Sequence, residues 1–570
     1  MKRKMNKNRY CGIAVICMFS LYTTACANTA SIEKENVEDT KMTTEVNIDT
    51  SNLFSNRDLS GDYDAAKCAT ITLSDEGSKT DSKNVLVDGS VITITGEGDY
   101  ILNGALSDGQ IVVDVDKTEK VQLVLDGVNI TSKTSAAIYV KKADKVFVTL
   151  ADGTENILAN GGVFEAVDDN QIDAVIFSKD DLTLNGTGAL SIQSPVGHGI
   201  VSKDDLVVTS GKYQISTSSH GMTGKDSVAI ADGDFHITAG KAAIKSVNDD
   251  DITMGNVYIM GGKYTLSAGT DGINALNTIQ VSGGEIVVEQ SYEGLEARVI
   301  DLSGGEITIT AQDDGLNATD KRTNTDADLD IDIDKSRETD TESSVTEKNL
   351  RGGHGGMSQS NPEASINISG GVICINAEGD GVDSNGTLSV SGGELYVMGS
   401  ASGQDSALDY DMTAVISGGI VVAAGQSGMV QNFGADSTQG AILVNTQEQN
   451  AAGSDIILLD SDGKELVAWT MQKSYNSVII SCPEIQTGET YAIITGEIST
   501  SVTMDGLIYG ESGGFGGGRQ GFRKGERPEG MSESPNFKDG ERPEGMPEHP
   551  EFKERERPEG VKEPSDIKGV

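Results

Sequence analysis

The residues of this chain most able to do chemistry are carboxylates that recur at a nearly fixed interval. Asp271, Glu293, Asp314 and Asp380 each stand before a glycine and an aliphatic residue, in the phrases Asp-Gly-Ile-Asn, Glu-Gly-Leu-Glu, Asp-Gly-Leu-Asn and Asp-Gly-Val-Asp. The residue after the aliphatic is again acidic or an amide: Asn274, Glu296, Asn317, Asp383 and, in Ser-Ala-Leu-Asp, Asp409. Asp313 adds a carboxylate beside Asp314. Carboxylates mixed with amide carbonyls are the hard-oxygen set that Ca²⁺ prefers. If the repeat stacks these residues at a strand spacing of about 4.8 Å, neighbouring charges repel by ~3.5 kcal/mol at an effective dielectric near 20. Raised pKa values, splaying into water or a bound cation would relieve that repulsion. Because both positions turn acidic together along the repeat, a calcium site is expected, with a solvated acidic face as the bland alternative.

Two further groups border this run. Asp249, Asp250 and Asp251 follow Asn248 in a loop at the same corner of the repeat, one unit earlier, and could donate to the same ion or an adjacent one. Lys245 is the one basic residue in the otherwise neutral-to-acidic series. It is the candidate base if the site abstracts a proton from a bound ligand. A lysine among carboxylates has its pKa raised and is a poor base, so an ion pair is the simpler expectation. His198 and His220 fall one repeat apart with no third His or Cys aligned. They are expected to form a ring ladder rather than a metal site. No Ser-His-Asp arrangement, phosphate loop or zinc spacing is present.

The elements that must position these residues follow from the same repeat. Small or glycine residues followed by an aliphatic recur as Ala137-Ile138, Val175-Ile176, Gly199-Ile200, Gly221-Met222 and Ala243-Ile244, then as the acidic phrases above. A second marker alternates with them, from "SGKYQI" through "SGGEIV" to "SGGELY". The basic interval of 21 to 24 residues, short alternating aliphatic runs and the absence of helical period predict an all-β fold, a right-handed parallel β-helix of about a dozen coils. Ile273, Leu295, Leu316 and Val382 should stack inward, and the residues flanking them should form outward columns. The outer column begins with Tyr139 and Phe177, expected as a small apolar ligand-binding patch.

Sixty-nine glycines and 5% aromatic residues fit such a rod better than an ordinary globule. Lys2, Arg3, Lys4, Lys7 and Arg9 precede an apolar run to Tyr22 and then Thr-Thr-Ala-Cys. Residues 1–25 therefore read as a lipoprotein signal peptide, with Cys26 the lipidated residue and 26–52 a tether. The chain is expected to be secreted and lipid-anchored to the outer face of the bacterial cell membrane, touching membrane only through that anchor. The net charge of −44 becomes −49 once those five basic and no acidic residues are removed, which argues against nucleic acid as a partner. Residues 53–440 are expected to be the capped β-helix, with an N-terminal cap and a disordered insertion at 320–363. Residues 441–506, with "DIILLD", "ELVAWT" and "SVIIS", should form a small antiparallel C-terminal cap. Residues 507–570, Gly-rich and then repeating Glu-Arg-Pro-Glu-Gly, should be a disordered tail.

The order of motifs resembles a bacterial family of carbohydrate-binding parallel β-helix proteins, related in fold to polysaccharide (pectate) lyases. The matching stretches are "LFSNRDLSGDYD" from Leu53, "VQLVLDGVNITS" from Val121, "AAIYVKKADKVFVTLADGTENIL" from Ala136, "SKDDL" at Ser178 and Ser202, the "SGGEI" coils and "GETYAIITG" from Gly488. The resemblance implies a calcium-containing β-helix that binds polysaccharide, with acidic polygalacturonate and cellulosic glucan as candidate ligands. The expected function is non-catalytic binding by a monomer. A calcium-dependent lyase using Lys245 and a structural or adhesive rod are the alternatives.

Overall fold

The computed structural model describes residues 53–165, 170–321 and 360–512. The expectations for the signal peptide, Cys26, the tether, residues 322–359 of the insertion and the tail from 513 lie outside those residues. The described chain is a β-solenoid of about 11 turns with almost no helix.

Each turn contributes one strand to each of three parallel ladders. The first ladder is a sheet of its own and carries, among others, Ala174–Ser178, His198–Ser202, Met222–Gly224, Ile244–Ser246, Asp271–Ala275, Glu293–Ala297, Leu316–Ala318, Val382–Ser384 and Leu408–Tyr410. The second carries strands such as Asp181–Gly186, Asp205–Val208, Ser227–Ile230 and Asn256–Ile259. The third carries Ala189–Ser194, Lys212–Thr217, Asp234–Ala239 and Lys263–Ala268. Long strands such as Lys120–Ser132 and Thr387–Met398 run through the corner between the second and third ladders and merge them into one 25-stranded sheet.

Alternation decides which side chains fill the rod. In the first ladder Ile273, Leu295, Leu316 and Val382 pair in register and are fully buried. The glycine before each aliphatic has a steric cause. A Cβ on Gly294 would stand 2.2 Å from the Gly315 carbonyl oxygen, and one on Gly315 would stand 2.3 Å from Ile375 Cγ2. In the third ladder Tyr213, Phe235 and Tyr264 stack inside the core, with successive ring centroids 5.1 and 4.8 Å apart.

At the N-terminus, Ala69–Leu73 already pairs in parallel with Gly98–Leu106, so the stack begins within residues 53–110, which are expected from sequence to be irregular capping strands. The short helix Asn56–Ser60 lies against the outside of the second ladder. Asp58, 2% exposed, receives hydrogen bonds from Lys145 Nζ at 2.9 Å and Thr183 Oγ1 at 2.6 Å, while Thr209 Oγ1 donates to its carbonyl at 2.6 Å. Leu53 and Phe54 pack on Val207, Ala229 and Tyr258. The segment thus straps several coils together, and the buried Asp58–Lys145 pair holds it there; removing one partner of such a pair costs about 3–5 kcal/mol. At the other end Ala441–Asn450 and Tyr475–Ser481 pair antiparallel and add to the last coil, and a four-stranded antiparallel sheet covers them around Trp469.

Candidate functional site

The outward position of the first ladder forms one continuous line. Tyr139 pairs with Phe177, Phe177 with Val201, Val201 with Thr223, Thr223 with Lys245 and Lys245 with Asn274. Asn274 then pairs with Glu296, Glu296 with Asn317, Asn317 with Asp383 and Asp383 with Asp409. Asp271 pairs with Glu293 in the neighbouring line.

The first part of this line does not offer a ligand surface. Tyr139 and Phe177 face away from the rod's interior, yet they are 2% and 1% exposed. Phe164 and Ile172, from the connection between Asn160 and Ala174, cover them, and Asn170 Nδ2 donates to the Tyr139 hydroxyl at 2.9 Å. The expected apolar patch is therefore a second, external core. A connection that folds back over the coil supplies the apolar partners that bare strand alternation would leave to solvent.

The middle of the line opens into a cavity of about 640 Å³. Its walls carry His198, His220, Lys203, Lys245, Asp271, Glu293, Glu296 and Lys321, with the exposed Tyr292 also on its lining. The His198 and His220 rings stack with centroids 5.1 Å apart and planes 7° from parallel, as the ladder reading expects. His198 Nδ1 accepts the His220 backbone N–H at 3.2 Å, and His220 Nδ1 accepts that of Ala242 at 3.1 Å. Both rings are thereby tied to the next coil. Burial, with Lys245 and His198 beside it, pushes the His220 imidazole far down, so it stays neutral. Lys245 Nζ lies 3.3 Å from His220 Nε2.

Asp271, Glu293 and Glu296 converge at the acidic end of the cavity, each presenting a carboxylate oxygen within 4.8 Å of the others. Asn274 Nδ2 donates to Glu296 Oε2 at 2.6 Å, and Asn317 Nδ2 donates to Glu293 Oε2 at 3.0 Å. Burial, then the Glu296 charge, lifts Asp271 up to about 7. The same two causes, joined by Asp271, hold Glu293 well above the usual carboxylate range. Lys321 Nζ pairs with Glu296 Oε1 at 2.6 Å. Burial alone would lower that ammonium's pKa; Glu296, Glu293 and Asp271 together raise it.

The other expected ligands are divided. Asp249 lines the cavity, but Asp250 pairs with Lys225, and Asp251 accepts from the backbone N–H and hydroxyl of Thr253. The loop is closed by Asn248, whose Oδ1 accepts the N–H groups of Asp250 and Asp251. Asp314 Oδ1 accepts the N–H of Asp380, and Asp380 Oδ1 accepts that of Ser406, so these two carboxylates cap coils. Burial, then Asp313, raises Asp314 to about 7; burial, then Asp314, raises Asp380 to about 8. Asp383 is held well up by burial and by Asp314, Asp380 and Asp409. Asp313 acts on the Tyr292 hydroxyl, which its hydrogen bond raises to about 12. Asp409 accepts from Gln431 and from the Tyr410 N–H. Among the expected ligands, only Asp271, Glu293 and Glu296 come together as a group of three.

That trio fits a hard cation by an observation beyond its charge. Asn317, 9% exposed, leaves its Oδ1 buried without a hydrogen-bond partner while its Nδ2 holds Glu293. Three carboxylates and an unspent amide carbonyl make an all-oxygen set. Two more buried oxygens on residues lining the same cavity lack partners: Asp173 Oδ1 and Thr223 Oγ1. Sequence reasoning missed Lys321 and Tyr292. Tyr292 had a signal, an aromatic residue directly before the acidic phrase; Lys321 had none beyond its charge.

The family described as carbohydrate-binding domain-containing protein matches residues 88–298 and 291–407, together more than half of the chain. A carbohydrate-binding domain-containing protein of Acetivibrio thermocellus is 43% identical over 126 residues, which is 22% of this chain. The match spans 44% of that relative's length. A solved structure titled as the polysaccharide lyase-like protein from C. thermocellum, gadolinium derivative, is 32% identical and aligns with 44% of this chain and 96% of its own, at a TM-score of 0.38.

Proposed function

The chain belongs to the family of carbohydrate-binding domain-containing proteins, and from that premise we propose that it is a cell-surface protein gripping polysaccharide in the cavity around Asp271. The ligand class is an acidic plant polysaccharide of the polygalacturonate type, with cellulosic glucan as the neutral candidate. The observation that carries the reading is the chemistry of one cavity. Lys203 and Lys245 offer positive charge to a sugar carboxylate. Asp173, Thr223 and Asn274 add polar side chains to the same wall for sugar hydroxyls. Tyr292, 46% exposed, offers a ring on which a sugar face can rest.

Asp271, Glu293, Glu296 and the Asn317 carbonyl are the residues that would hold calcium. Calcium, when bound, would offset the acidic wall and offer remaining coordination to a uronate carboxylate. Binding without cleavage is the favoured outcome, because Lys245 is engaged with His220 Nε2 rather than poised alone.

A second reading has one observation in its favour. Lys245 projects into the cavity one coil from Asn274. In a lyase its neutral amine would take the proton beside the uronate carboxylate as the bond to the leaving sugar oxygen broke and a carbon–carbon double bond formed. The basic stretch Lys2–Arg9, the apolar run to Tyr22 and Cys26 support placement at the outer face of the bacterial cell membrane through a lipid anchor.

Retention on insoluble polygalacturonate and on cellulose, measured with calcium and with EDTA, tests the binder. Retention of the acidic polymer only with calcium is the expected result; retention of neither polymer under both conditions rejects it. A steady ultraviolet rise from unsaturated uronate, abolished in Lys245→Ala, would instead establish the lyase. Loss of palmitate labelling in Cys26→Ala checks the anchor.

A further inference from the structure

The carboxylate trio of Asp271, Glu293 and Glu296 already has a positive neighbour supplied by the chain itself. Lys321 Nζ stands 2.6 Å from Glu296 Oε1, and the three carboxylates lie within 4.8 Å of one another. The Glu296 side chain is 3% exposed, whereas that of Lys321 is 31% exposed, so the lysine reaches in from the solvent side toward a fixed acid. Lys321 follows the strand Leu316–Ala318 by three residues, outside the ladder that fixes Glu293, Glu296 and Asn317. The acids are anchored by strand pairing; the ammonium is carried on a side chain with rotatable bonds and a path to water.

A divalent cation coordinated by these oxygens needs them at about 2.3–2.6 Å. An ammonium hydrogen-bonded to Glu296 Oε1 occupies the same lone pairs and the same region of negative potential. Two cations cannot share it, since their mutual repulsion would cancel much of the attraction that draws either one in. We infer that Lys321 is the resident counter-ion of the trio and that a divalent cation binds by displacing it, so that this lysine sets the affinity of the site. The inference rests on reading the trio as a cation site and adds the competitor for it. In consequence the acidic wall is compensated in both states: by the ammonium when calcium is scarce, by calcium when it is abundant. Only the second state leaves Lys321 free to meet a sugar carboxylate at the cavity edge.

The full chain, titrated with calcium chloride by calorimetry and melted with and without EDTA, tests this. Lys321→Met is expected to bind calcium at least tenfold more tightly than the wild type, in a component that Glu293→Gln removes. It should melt lower than the wild type in EDTA and level with it in saturating calcium. Lys321→Arg, which keeps the charge, should show no such gain. Equal or weaker calcium binding by Lys321→Met, with binding by the wild type intact, overturns the competition and leaves the cation site standing. A melting loss of the same size with and without calcium makes Lys321 a structural brace and also overturns it. No calcium binding by either protein rejects the cation site together with its competitor. A measurement on the wild type needs no variant: calcium should raise the rate at which an amine-acylating reagent modifies Lys321 severalfold, read by mass spectrometry, and an unchanged or slower rate counts against displacement.

Discussion

Asp314 Oδ1 accepts the backbone N–H of Asp380 at 2.7 Å, joining residues 66 apart in sequence and one coil apart in space. His198 and His220 do the same for the coils that follow them. At these positions the residue before the glycine acts as a rung between coils, whether its side chain is imidazole or carboxylate.

Replacing Asp314 with Ala should therefore destabilise the rod by about 1–3 kcal/mol, the cost of a buried donor left unmet. Asp314→Asn keeps an acceptor and sheds a buried charge, so it should cost much less. Urea unfolding of the two variants compares them; equal losses would show that the charge, not the hydrogen bond, matters at this position.

The acidic line should also give the metal-free protein an unusual pH profile. Burial, followed by the neighbouring carboxylates Glu296, Asp313 and Asp314, raises Asp271 and Asp314 to about 7 and Asp380 to about 8 from an ordinary 3.8. Asp405 and Asp409 face the last two as well, while Lys321 and Lys245 act on Asp271 in the opposite sense. Their folded-state values lie above the unfolded ones, so the folded state binds more protons between these limits. The stabilisation is complete below pH 4 and is lost as pH rises through 7 to 8. Melting in EDTA should drop between pH 5 and pH 9, and calcium should recover the part of that loss that comes from Asp271. A midpoint in EDTA that holds steady or rises across that range would be incompatible with carboxyl groups held protonated by burial.

Phe177→Ala should behave as a core lesion. The ring is 1% exposed beneath Phe164 and Ile172, and such truncations cost about 3–5 kcal/mol. Polysaccharide affinity, corrected for the folded fraction measured by circular dichroism, should not change. A fall in corrected affinity with full stability would restore the residue to a ligand surface.

Tyr292→Ala should reverse that pattern. Half-exposed at the cavity, the ring has little to lose in folding and is expected to contribute 1 kcal/mol or more to binding, about fivefold in Kd. Titration with oligogalacturonides of defined length measures it; an unaltered Kd removes Tyr292 from the binding surface.

The repeat made much of this legible from sequence. Asp271 beside Glu293, and Asn274, Glu296, Asn317, Asp383 and Asp409 in one line, follow from the spacing because a stacked coil converts interval into register. What lies over the coil does not follow from it. Tyr139 and Phe177 are outward in register and still buried, because the length of the connection before Ala174 does not reveal that it folds back. Asp314 and Asp271 occupy equivalent places in their phrases, yet one caps a coil and the other joins the trio. The difference lies in which backbone N–H comes within reach. Lys321 reads as the start of an acidic insertion, and only the bend after Ala318 brings it to Glu296.

The same bend carries a consequence for the plasticity of the architecture. Leu295 pairs with Leu316 across 21 residues, and Leu316 pairs with Val382 across 66, in the same register and with the same inward stacking. The rod therefore tolerates a threefold change in the length of a coil, with the extra chain spliced into one corner. Closing a longer loop costs little, about 0.6 kcal/mol for each doubling, while the strand on either side keeps all its partners. That corner is a graft point: a foreign peptide placed there would be displayed a few residues from the acidic cavity, on a scaffold whose stacking does not depend on its content.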